Sequence, residues 1–113
     1  MENPEFKKSI AFRIKDKLNY ISNTIVTKYI LNEKTGNIMV MAIDYGKVYI
    51  PKTTPFSTFV QVIEGEAEVV INEQSIYLQN GDCMIIPGST PHTIEANQRF
   101  KMLSVILKSG YDE

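Results

Sequence analysis

The sequence GDCMIIPGSTPH, residues 81–92, encodes two turns and the strands beside them. Asn80-Gly81 is a tight-turn signal because both residues tolerate a positive φ. Cys83 to Ile86 is a short apolar run, which is typical of a buried strand. Pro87-Gly88 predicts a second turn, in which the glycine takes the left-handed corner. The segment is therefore expected to contain one complete strand and the start of another.

His92 is the only histidine of the chain, and it lies at the predicted start of that second strand. Pro91 favours extended geometry just before it. Because side chains alternate along a strand, His92 is expected to share an inward face with Ile94 and Ala96. A histidine at a strand end is also often half exposed and donates to a neighbouring carbonyl, and parity does not exclude that interpretation. His92 is the first candidate for a functional side chain.

Strand signals recur through the rest of the chain at short, regular spacing. They cover residues 25–31, 38–43, 47–50, 56–63, 66–71, 75–78 and 100–107. The run 38–43 is apolar at every position, which predicts a strand covered on both faces, with a second subunit as one possible cover. Helical periodicity is weak, and only residues 15–21 favour a turn or two of helix. About eight short strands between turn signals predict an all-β antiparallel sandwich or barrel.

Size and composition narrow the classes of function. The chain has 113 residues and a net charge of −1, so we expect one domain, residues 1–113, with no basic surface for nucleic acid or an acidic membrane. It has neither a signal-peptide pattern nor an apolar run long enough to span a bilayer. The single cysteine, Cys83, lies in an apolar strand, which predicts a buried, unreactive thiol in a reducing compartment. We therefore expect a cytoplasmic protein with no nucleic-acid or membrane partner.

Two segments resemble the conserved motifs of the cupin superfamily. The first runs from Gly46 through Lys52 to the strand and Glu-Gly turn of VQVIEG, residues 60–65. The second is Gly81-x5-Pro87 followed by His92. With the flanking strands, the resemblance covers approximately residues 37–107. It implies an antiparallel double-stranded β-helix, or jelly-roll barrel, that is commonly a homodimer and holds a ligand or metal inside the barrel.

The resemblance also implies which positions would bind a metal. Metal-binding cupins use a His-x-His pair and a glutamate from the first motif and a histidine from the second. The matching positions here are Lys52, Thr54, Thr58 and His92. One imidazole and two hydroxyls make a poor divalent site, and a lysine charge about 4 Å away opposes the ion by on the order of 8 kcal/mol at an effective dielectric near 20. We therefore expect no metal and no other cofactor.

The same four positions are instead predicted to bind a small anionic or hydroxylated molecule. If the strand that begins at Lys47 continues through Pro51, one inward face is shared by Val48, Ile50, Lys52 and Thr54. The lysine stem then lies along apolar surface while its ammonium reaches the ligand. A solvated loop position for Lys52 and ordinary strand or turn roles for the threonines remain open.

Other functions also remain open. One is an isomerase or oxygenase type of enzyme, with His92 as general acid/base or residual metal ligand and Lys52 as an electrostatic or covalent partner. Another is a structural dimer whose barrel is filled. No carboxylate is positioned by the sequence to orient His92, which counts against acid/base chemistry. Small-molecule binding without a metal is therefore the predicted function, and the sequence does not specify the ligand.

Overall fold

The structure is a computed structural model that describes residues 5–108. In that range one short 3-10 helix, Ile14–Lys17, precedes nine strands. The strands are β1 (Ile25–Glu33), β2 (Gly36–Ile43), β3 (Val48–Tyr49), β4 (Thr58–Gly65), β5 (Ala67–Ile71), β6 (Gln74–Leu78), β7 (Cys83–Ile86), β8 (His92–Glu95) and β9 (Phe100–Leu107). No helical segment between residues 5 and 108 is long and apolar enough to cross a bilayer.

The strands form two antiparallel sheets. The five-stranded sheet has the order β1-β2-β9-β4-β7, and the four-stranded sheet has the order β3-β8-β5-β6. Apolar side chains from both sheets form one core, which includes Met41, Val62 and Phe100 from the larger sheet and Val69 and Ile94 from the smaller. The predicted all-β double-stranded β-helix is therefore confirmed.

Alternating sequence produces the sheet faces where the prediction was clearest. In β5, Ala67, Val69 and Ile71 are buried while the residues between them are partly exposed. A two-residue period places alternate side chains on opposite faces, so one face of β5 contacts the core and the other contacts water. The predicted final strand over 100–107 also matches β9.

The apolar run of β2 is covered on both faces over residues 40–43, as predicted. Met41 and Ile43 belong to the core between the sheets. On the outer face, Val40 and Ala42 pack with Phe6 and with Leu18, which follows the 3-10 helix. The chain's own N-terminal segment therefore supplies the second cover, and the suggestion that another subunit does so at these residues is wrong.

One predicted burial is wrong in β7. Cys83 is exposed, and in the whole strand only Ile86 is buried. The reason is topological, because β7 is the last strand of its sheet and pairs only with β4. An apolar run at a sheet edge has a neighbour on one side only, so it leaves side chains open to solvent.

Candidate functional site

A cavity of about 190 Å³ lies between the two sheets at one end of the barrel. All four predicted site residues line it: Lys52, Thr54, Thr58 and His92. They come from different parts of the chain, since Thr58 begins β4, His92 begins β8, and the other two lie in the loop before β4. The structure therefore brings the predicted residues to one cavity, while their role in binding stays a prediction.

The loop that carries Lys52 leaves the sheet because of a proline. In the β3–β8 pair, Val48 lies opposite Glu95 and Tyr49 opposite Ile94. Continuing that register would place Pro51 opposite His92, but proline has no N–H to donate to a ladder. The strand ends at Tyr49, and the chain runs past the start of β8 as the border of the cavity.

The predicted side-chain parity of this segment is wrong. Val48 and Ile50 are exposed, whereas Tyr49 lines the cavity. Side chains still alternate from Val48 to Pro51, but in the opposite phase to the predicted one, since Tyr49 and Pro51 line the cavity. Lys52 reaches the cavity border through the loop instead. It is exposed, and its ammonium has no hydrogen bond or ion pair with any residue that the structure describes.

A close contact between two loops fixes this border. The backbone N–H of Ser89 donates to the carbonyl of Thr54 at 2.6 Å. A Cβ at Gly88 would overlap the carbonyl oxygen of Pro55, so only glycine allows the approach. The left-handed residue of the turn is Ser89, with φ 58°, and not Gly88 as predicted. The turn before β8 thus sets the position of the loop that carries Lys52 and Thr54.

His92 is half-buried at the first position of β8. Its Nδ1 lies 3.0 Å from the carbonyl oxygen of Thr90. A carbonyl only accepts hydrogen bonds, so Nδ1 carries the proton and Nε2 of the neutral ring carries a lone pair. No carboxylate among residues 5–108 hydrogen bonds to this imidazole, so the ring lacks the partner that normally orients a catalytic base.

Sequence reasoning missed several polar side chains that line the cavity: Asn37, Tyr29, Tyr49 and Ser104. Ser104 is only 9% exposed, and its hydroxyl has no hydrogen-bond partner in the described chain. The available signal was a serine at an inward position of β9, where its alternate neighbours Met102 and Ile106 are apolar. Burial, and to a lesser degree the neighbouring Tyr29, raises the pKa of Tyr49, so its hydroxyl stays neutral and can donate.

The donor set of the cavity does not fit the metal that many cupins hold. Transition metals in proteins need several imidazole, thiolate or carboxylate ligands. Residues 5–108 contain no group of three or more such side chains positioned for one ion. At the cavity, Lys52 offers only donors and the threonines offer only hydroxyls. His92 is therefore a single ligand without companions.

Sequence comparison assigns the family. Residues 39–106, which are more than half of the chain, match the sequence profile of the cupin domain family. The chain belongs to this family. The matched range includes Lys52, Thr54, Thr58 and His92, so the cavity lies within the cupin barrel. No curated protein matches the chain.

Solved structures resemble this cupin closely in fold. A conserved protein of unknown function from Streptococcus pyogenes is 19% identical, with a TM-score of 0.87 over 95% of this chain and 94% of that one. A cupin superfamily protein from Desulfitobacterium hafniense is 19% identical, with a TM-score of 0.86 over 93% and 96%. A conserved barrel domain protein from Leptotrichia buccalis is 24% identical, with a TM-score of 0.82 over 86% of this chain and 47% of that one. At these identities the likeness establishes the fold alone.

Proposed function

We propose that this cupin binds a small anionic or hydroxylated molecule in its cavity without a metal. The observation that carries the proposal is that one cavity is lined both by the half-buried His92 and by Lys52, whose ammonium has no partner within residues 5–108. A few polar groups on an apolar lining are typical of small-molecule sites. The cavity takes up about as much space as six molecules of liquid water. The part of the ligand that enters the cavity is accordingly small.

A thermal-shift panel of small organic acids and sugars tests this function. We expect at least one compound to raise the melting temperature, since a ligand that binds only the folded state stabilises it. Lys52→Ala and His92→Ala should abolish the shift. Lys34→Ala, which removes an exposed lysine in the turn between β1 and β2, is the matched control and should retain it. Equal thermal shifts in all variants would show that the ligand does not bind in this cavity.

Metal content is measured on protein purified without chelator. The donor set predicts much less than one transition metal per chain. One metal per chain that is lost in His92→Ala would contradict the proposal and favour the alternative in which His92 is a residual ligand.

We also propose that the protein is a homodimer of the cytoplasm. An apolar row crosses the outer face of the five-stranded sheet through consecutive strand partners: Leu31, Ile38, Val105, Phe59 and Ile85. Ile85 is 66% exposed. The row contains no charged residue. The neighbouring part of the same face, around Val40 and Ala42, is already covered by the N-terminal segment. A second copy related by a two-fold axis would bury the row against itself.

The cytoplasmic location is supported by Cys83, which is exposed and forms no disulfide, because such a thiol persists in a reducing compartment.

Sedimentation velocity of Ile85→Lys tests the dimer. The wild type is expected to sediment as a dimer and the variant as a monomer, because a charge at a buried apolar contact is costly. Tyr77→Lys is the control, since Tyr77 is a similarly exposed side chain near the edge of the other sheet. A wild type that remains monomeric at every concentration, or a dimeric Ile85→Lys, would contradict this interface.

A further inference from the structure

The hydrogen bond of His92 restricts what its ring can bind. Nδ1 donates to the carbonyl of Thr90, which leaves Nε2 of the neutral ring as an acceptor. A carboxylate also only accepts hydrogen bonds, so its oxygens have no favourable contact with that nitrogen. As long as the ring is neutral, a ligand group that reaches Nε2 must therefore carry a proton to donate, as a hydroxyl does.

Among residues 5–108, Lys52 is the one lysine or arginine that lines the cavity. Lys52 is in the loop after β3, outside the sheet, and its ammonium is without a partner in residues 5–108. Three N–H donors and a full charge favour a carboxylate over a neutral group. The negative end of a ligand is accordingly expected at Lys52 and not at His92.

The third polar group is the buried hydroxyl of Ser104, which has no hydrogen-bond partner in the part of the chain that the structure describes. Ser104 is on the inward face of β9, and its strand partner on β2, Met39, also lines the cavity. Leaving a buried hydroxyl unpaired is unfavourable, and a polar ligand removes that cost. A hydroxyl both donates and accepts, so Ser104 suits an oxygen-bearing ligand and does not by itself choose between an anion and an alcohol.

We infer that the ligand class is a small hydroxycarboxylate, bound with its carboxylate at Lys52 and its hydroxyl donating to Nε2 of His92. This inference rests on the proposed function and specifies its ligand. A lactate-sized molecule has six non-hydrogen atoms, which suits a cavity of about 190 Å³. A plain carboxylate leaves Nε2 unused, and a plain alcohol leaves the lysine charge unused.

The imidazole state is measurable without ligand. Because the chain has one histidine, a long-range ¹H–¹⁵N correlation spectrum at about pH 8, where an ordinary imidazole is neutral, reports its tautomer without assignment ambiguity. We expect the proton on Nδ1. A proton on Nε2 would overturn the inference, since the ring would then offer a donor to the cavity.

Three probes with one carbon skeleton test the ligand class: lactate, propionate and propane-1,2-diol. Dissociation constants come from amide shift titrations of the full chain. We expect lactate to bind at least about tenfold more tightly than either analogue, equivalent to about 1.4 kcal/mol. His92→Ala should reduce lactate to the affinity of propionate, and Lys52→Met should reduce it to that of the diol. Lys34→Ala is the control and should leave all three constants unchanged.

The possible outcomes distinguish a failure of the hydroxycarboxylate ligand class from a failure of the proposed function. If propionate binds as tightly as lactate, the inference fails, and the cavity remains a site for small anions. The same holds if no probe shifts the cavity amides but another compound of the thermal-shift panel does so in a Lys52-dependent and His92-dependent way. If no compound of either set binds, both the inference and the proposed function fail.

Discussion

The two ends of the barrel interior are built from the same strands but differ in chemistry. At the closed end the inward side chains are apolar and almost completely buried, as Phe100 and Met102 are in β9. Two residues further along the same face, Ser104 lies at the open end, which contains the cavity. His92 begins β8 at the open end and is followed inward by Ile94 of the same strand and by Ala96 just after it.

The same gradient recurs in the other strands around the cavity. In β4, Thr58 precedes Val60 and Val62, and in β2, Asn37 precedes Met39 and Met41. One face of each strand therefore serves two purposes, with packing at the closed end and recognition at the open end. Because the apolar and the polar side chains occupy different ends of the same strand, we expect substitutions to affect stability and binding separately. Each prediction below tests that separation.

The largest effect is expected from a pair of substitutions on β9. Met102→Ala removes a side chain that is 0% exposed, so it should lower the free energy of unfolding by about 2–5 kcal/mol. Ser104→Ala removes an unpaired hydroxyl, so it should change stability by less than about 1 kcal/mol or raise it. Urea denaturation of both variants measures the difference. Equal losses would show that the two ends are not separable.

The next effect concerns the contact between the loops at the open end. Gly88→Ala places a Cβ against the carbonyl of Pro55, and overpacking of this kind costs about 1–3 kcal/mol. Because the contact positions Lys52, ligand-induced thermal shifts should also be lost. Ser89→Gly is the control, since glycine accepts the positive φ at that position. Ser89→Gly should retain both its stability and its ligand-induced thermal shift. A Gly88→Ala variant that also retains both would contradict the role of this contact in positioning Lys52.

Alkaline pH tests the outer cover of the closed end. Tyr20 donates to Oε2 of Glu64 at 2.6 Å, and burial together with this hydrogen bond raises the pKa of Tyr20. The stabilisation is therefore fully present below about pH 10, the ordinary tyrosine value, and is lost as the pH rises further. Tyr20→Phe should cost about 1 kcal/mol at neutral pH and show a shallower alkaline decline. Parallel pH profiles for the two proteins would contradict the linkage.

The smallest effect on stability is expected at Lys52. The side chain is exposed and has no partner in the described chain, so Lys52→Ala should change the free energy of unfolding by less than about 0.5 kcal/mol. Its ligand response should nevertheless disappear. A large loss of stability would mean that Lys52 belongs to the scaffold and not to the site.

The sequence predicted what depends on local pattern. The alternation in β5 and the apolar run of β9 follow from a two-residue period, and the inward face of His92 follows from the same rule counted from Pro91. The exposure of Cys83 was not predictable in this way, because it depends on β7 being a sheet edge. The N-terminal cover of Val40 was missed for the same reason, since it involves residues far apart in sequence.

The site shows the same division. His92, Lys52, Thr54 and Thr58 were selected by motif position, and all four line the cavity. The parity argument for Lys52 failed because Val48 already faces outward, so the alternation has the opposite phase to the predicted one. Ser104 was missed because one serine at an inward position of a strand is a weak signal. That it lines the cavity follows only from the pairing of β9 with β2 and β4.

The most direct test of the central claim is a crystal structure of protein purified without chelator and soaked in lactate. We expect lactate at the open end, with its hydroxyl within hydrogen-bond distance of Nε2 of His92 and its carboxylate near Lys52. A peak about 2.1 Å from that nitrogen, the distance of a bound transition metal, would contradict it.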